Sequence, residues 1–113
     1  MSPSESQMTV IGRLVVDPAE RAEWLRHAGP LVRLTRQEPG VIDYAVGADV
    51  VDGGTIIFYE RYRYPAAVDE HRNADHFKRF VQEVSHIKVL DGPILASFLE
   101  GDPHDIGPNA IGD

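Results

Sequence analysis

Cysteine is absent from the 113 residues, which excludes disulfides, thiolate zinc sites, iron-sulfur clusters and a cysteine nucleophile. Positive charge is scarce as well, with 11 Lys and Arg against 18 Asp and Glu and a formal net charge of -7. Such a chain repels phosphate backbones and anionic membrane surfaces, so neither nucleic acid nor a membrane is an expected partner. Nowhere do about 18 apolar residues run together, and the opening MSPSESQ has no basic run leading into an apolar stretch. A cytoplasmic, soluble protein is the expectation. No Gly-rich phosphate loop, dinucleotide fingerprint, G-x-S-x-G motif or Ser-His-Asp spacing occurs, so a nucleotide cofactor has nothing visible to hold it.

What is present suits one globular domain, with 42% apolar and 26% charged residues. We expect a flexible N-terminal segment over 1–7, a folded domain over 8–100 and a C-terminal tail over 101–113, whose GDPHDIGPNAIGD lacks the apolar bulk for a core of its own. Met8 to Val16 is β-branched and ends at Asp17-Pro18, where Asp caps a helix and Pro fits its first turn. A helix to about Gln37 follows, with a kink expected at Gly29-Pro30, and it stops before Glu38-Pro39-Gly40. Val41 to Ala48 and Thr55 to Tyr62 read as strands joined through Asp-Gly-Gly hairpin chemistry. Tyr64-Pro65 opens a short helix to about Arg72, and Phe77, Phe80, Val81, Val84 and Ile87 mark a second, amphipathic one. Pro93 to Glu100 is the last strand. The order β-α-β-β-α-β is ferredoxin-like: an α+β fold with a four-stranded antiparallel sheet and the helices on one face. Because the strands are apolar on both sides, the face away from the helices needs cover, and a homodimer packed sheet to sheet is expected.

Two polar side chains interrupt this apolar pattern. His71 shares a helix face with Ala67 and Val68 and so points at the core; it is either a core histidine satisfied by one hydrogen bond or a general base. Glu60 shares a strand face with Ile56, Phe58 and Tyr62; it either pairs with an arginine such as Arg13 or partners His71. Trp24, Tyr44, Phe58, Tyr62 and Phe98 are the expected aromatic lining of a pocket between sheet and helices. His71 and His76 are five apart, which on one helix separates their rings, and His27, His86 and His104 have no ligand-like spacing, so no metal site is expected.

Together, the run TRQEPGVIDY, a strand ending FYERY, and AAVDEHRNADHFKRF resemble the antibiotic biosynthesis monooxygenase family, and its small quinol monooxygenase-like members in particular, over about Met8 to Leu99. The resemblance implies a dimeric α+β barrel that oxidises phenolic, quinol or anthrone compounds with molecular oxygen and without metal or flavin. It implies Glu60 and His71 as catalytic residues, with His76 of the pair His76-Phe77 joining the substrate-binding set. Haem-degrading relatives have a ligating histidine where Val81 stands and a tryptophan where Tyr62 stands, so haem degradation is not expected. The competing readings are an isomerase or lyase working by enolisation through the same histidine, and a non-catalytic metabolite-binding dimer.

Overall fold

Local chemistry sets each boundary. In the computed structural model, which describes residues 6–99, strand β1 runs Met8–Val16 and gives way at Asp17 to a 3-10 turn over Pro18–Glu20 and helix α1 over Arg21–Thr35. The Asp17 carboxylate accepts from the Ala19 amide at 2.9 Å, satisfying one of the free N-H groups of that turn. Pro30 lies inside α1, which continues past it as one element. Strands β2 (Val41–Ala48) and β3 (Thr55–Tyr62) form the hairpin, followed by helices α2 (Ala66–Arg72) and α3 (Asp75–Glu83) and strand β4 (Val89–Leu99). The expected tail and the first five residues of the expected N-terminal segment lie outside the described residues; Gln7 of that segment accepts a hydrogen bond from Arg61 at 2.8 Å.

The sheet is antiparallel in the order β2-β3-β1-β4, the ferredoxin-like topology. Register sorts the two faces, since side chains on paired residues point the same way. Val10, Leu14, Val16, Ile56 and Tyr62 are buried toward the helices, where they meet Trp24, Ala28 and Leu31 of α1 and Phe80 of α3. Burying a side chain such as Ile56 contributes on the order of 2 kcal/mol. The opposite face keeps Ile11, Ile57, Tyr59, Ile94 and Phe98 39% to 53% exposed.

Two boundaries differ from the sequence reading. Strand β4 begins at Val89, four residues before Pro93, because β1 offers pairing partners as far as Val16. Helix α3 ends at Glu83, and Val84 and Ile87 fold back through a turn closed by the Ile87 amide on the Val84 carbonyl at 2.9 Å, so that Ile87 is still buried. Among the described residues no helix is long and apolar enough to cross a membrane.

Candidate functional site

Between the sheet and the helices lies a cavity of about 320 Å³. Its wall is mostly apolar, and Trp24 forms the centre of one side, edge-on to Phe58 at 5.7 Å and to Phe80 at 4.9 Å between ring centroids. Glu60, His71 and Arg72 line this space beside the phenol-bearing Tyr44. Trp24, Tyr44, Phe58, Glu60 and His71 from the sequence reading therefore meet at one cavity.

Phe98 does not join them. It pairs with Thr9, and that register puts its ring on the sheet face away from the helices, half exposed. Its neighbours in β4, Leu95 above all, supply the cavity wall instead, opposite Gly12 of β1. A one-residue difference in register exchanges every side chain between faces, which is why alternation along an isolated strand did not settle the point. Tyr62 is fully buried beneath the site and donates its hydroxyl to Glu60 Oε1.

The partner expected for His71 is also corrected. His71 Nδ1 lies 2.9 Å from Oε2 of Glu38, and His76 Nε2 lies 2.6 Å from the same oxygen. Glu60 instead takes the Tyr62 hydroxyl, and Arg13 turns to Asp91 at 3.5 Å on the other face, so neither pairing considered for Glu60 forms. The sequence marks Glu38 as the start of the Glu38-Pro39-Gly40 break after α1 and as part of the family-like run, not as a partner of His71. Its position is fixed because the turn after it is tied to the chain following β3: Arg63 donates its amide to the Gly40 carbonyl at 2.8 Å and its Nε to the Pro39 carbonyl at 3.0 Å. No local signal marks Glu38 as a partner of residues 33 and 38 positions away.

His76 reaches this carboxylate because α2 and α3 are not one helix. Ala74 is extended, with φ -70° and ψ 144°, and this break folds the start of α3 back over the end of α2. The two imidazole centroids come within 6.2 Å, overturning the expectation that five-residue spacing separates them. Among the described residues, Glu38, His71 and His76 form a group that could hold a metal ion, since their ligand atoms all lie within 4.8 Å of one another.

The electrostatics follow from burial and donor count. As a carboxylate, Glu38 only accepts, so each histidine presents an N-H to it. In the neutral tautomer that donates to Glu38 from Nδ1, the lone pair of His71 is on Nε2, and Nε2 is buried with no hydrogen-bond partner among the described residues. The ring is held by Tyr44 and Phe77, each 5.0 Å away between centroids, and is 2% exposed. Burial pushes the Glu60 carboxyl above its ordinary range, against the opposing pull of the Tyr62 hydroxyl, His71 and Arg72. Burial likewise raises the phenols of Tyr44 and Tyr62, with the neighbouring Glu60 adding to both.

A family model described as antibiotic biosynthesis monooxygenase matches residues 7–83. The Mycobacterium tuberculosis protein named "Putative monooxygenase Rv0793" is 30% identical over 94 residues, which cover 83% of this chain and 90% of that one. Its solved structure superposes with a TM-score of 0.76 at 26% identity, over 88% of this chain and all of that one. "Putative monooxygenase YcnE" of Bacillus subtilis is 33% identical over 79 residues, 70% of this chain and 81% of that one. "Uncharacterized protein sll1783" of Synechocystis is 28% identical over 80 residues, 71% of this chain, and here the match spans about half of the relative, 54% of its length. With the matched region running from β1 through α3 and taking in Glu38, Glu60, His71 and His76, the chain belongs to the antibiotic biosynthesis monooxygenase family.

Proposed function

We propose that the protein is a monooxygenase that oxidises a small aromatic or quinol-like substrate with molecular oxygen, using His71 as its base. The observation that carries this reading is the buried Nε2 of His71, without a hydrogen-bond partner among the described residues, in the wall of an apolar cavity, with the other ring nitrogen held by Glu38. A phenol or quinol seated against Trp24 and Phe58 loses its O-H proton to Nε2, and the anion, an electron-rich reductant, gives electrons to oxygen. Dioxygen takes four electrons, two as the quinol becomes a quinone and two as a ring C-H becomes C-OH; the two quinol O-H protons leave with one oxygen atom as water, and the other oxygen atom becomes the new ring hydroxyl. Glu38 is the positioning residue that sets the His71 tautomer, in the role a carboxylate plays behind a catalytic histidine. Glu60, whose carboxyl burial holds above its ordinary range, lines the same cavity, and in its protonated form it is a hydrogen-bond donor for the developing anion.

A second copy of the chain belongs to this reading. The half-exposed row of Ile11, Ile57, Ile94 and Phe98 is an apolar surface of the kind that pairs with itself about a two-fold axis.

Oxygen uptake with a panel of hydroquinones and naphthols tests the proposal. The expected result is one oxygen consumed per substrate, at a rate roughly 100-fold or more lower in His71→Ala. Conversion of a substrate under strict anaerobiosis, with no uptake in air, would instead assign the site to enolisation chemistry.

A further inference from the structure

Arg72 is the permanent cation in the wall of the cavity, at its rim and solvent-exposed, one residue past His71. Asp69 and Asp75 stand three residues to either side of it, yet its guanidinium makes no hydrogen bond or ion pair among the described residues. Other arginines are committed: Arg61 to Asp43 at 3.1 Å, Arg36 to the Tyr44 carbonyl at 2.9 Å, Arg21 to the Asp52 carbonyl at 2.8 Å. In a chain of net charge -7, an unpaired guanidinium over an apolar cavity is an anion site directed at whatever occupies that cavity. Its field reaches inward, since it acts on both Glu60 and Tyr44 and draws their pKa values downward against burial.

We infer that Arg72 selects the substrate class of this cavity: a planar phenolic ring bearing a carboxylate, the ring against Trp24 and Phe58, the carboxylate on the guanidinium and the hydroxyl toward His71 Nε2. The inference rests on the cavity being the substrate site. Arg72 and His71 both line the cavity, so one ring that bears a carboxylate and a hydroxyl can meet the two of them together. A planar fork donating two parallel N-H groups suits a carboxylate better than a single phenolate oxygen does.

The test compares two probes, 2,5-dihydroxybenzoate and its neutral parent hydroquinone, by calorimetric titration of the full-length protein. Trp24 is the one tryptophan of the chain, so quenching of its fluorescence reports that each probe enters the cavity. The wild-type protein is expected to favour the carboxylate by about 10-fold, the worth of one charged hydrogen-bonded contact. In Arg72→Gln that ratio of affinities falls to near one, and in Arg72→Lys it is partly restored. A ratio that survives Arg72→Gln, no preference in the wild-type protein, or no quenching by either probe would overturn the inference. Failure of the oxidation reading looks different: the binding preference remains while no oxygen is consumed.

Discussion

His71 is useful because its two nitrogens face different surroundings, Nδ1 a carboxylate and Nε2 an apolar cavity. Replacing it by Ala should lower turnover by roughly 100-fold or more while leaving the circular dichroism unchanged. Glu38→Gln keeps the shape but offers an amide that can donate as well as accept, so the tautomer is no longer imposed; turnover should fall at least about 10-fold with substrate affinity retained. A Glu38→Gln protein with unaltered turnover would remove the positioning role. Glu60 gives a pH-dependent signature. Its carboxyl is raised above the ordinary 4.5 on folding, so the native state holds a proton that the unfolded chain releases. Stability therefore decreases as pH rises from the unfolded value through the raised one. Glu60→Gln carries no such proton, and its melting temperature relative to wild type should climb across that window and level off on either side. A difference that is flat with pH would show that burial does not hold the carboxyl up.

Helix α2 is brought to its place by a close approach that only glycine permits. A Cβ on Gly40 would stand 2.6 Å from the Cβ of Ala67 and 3.2 Å from the Tyr64 hydroxyl, so the turn after Glu38 and the helix carrying His71 touch backbone to side chain. Gly40→Ala should cost about 1–3 kcal/mol, read as a lower denaturation midpoint, and should reduce turnover because it pushes His71 away from Glu38. Gly47→Ala in β2 is the control, because a Cβ there meets nothing within 4 Å. Equal effects at the two positions would mean that the approach at Gly40 is not what sets α2. The element pattern itself was readable in advance: period-two runs located β1, β2 and β3, and the Asp17-Pro18 and Pro39-Gly40 breaks bounded α1. The end of α3 was not, since Val84 and Ile87 continue the helical period while leaving the helix.

A second copy would remove from water the sheet face that one chain leaves apolar. Sedimentation of the wild-type protein at micromolar concentration should give about twice the 12.5 kDa chain mass. Ile57→Asp, in the middle of that face and 40% exposed, should shift it to monomer without unfolding it. A wild-type protein that sediments as a stable monomer would refute the pairing.

The order of elements, the inward aim of His71 and the grouping of Glu60 with Ile56, Phe58 and Tyr62 on one strand face were legible from residue spacing, because helical and strand periods are properties of a few consecutive residues. Stacking of those elements settled what the side chains meet. Glu38 reaches His71 and His76 across 33 and 38 positions through the turn pinned by Arg63. Phe98 went to the open face through the register of β4 on β1, and the two histidines met through one extended residue at Ala74. Spacing along a chain encodes the direction of a side chain within its own element, whereas a hydrogen bond between elements depends on their distance and register, which long-range packing alone fixes.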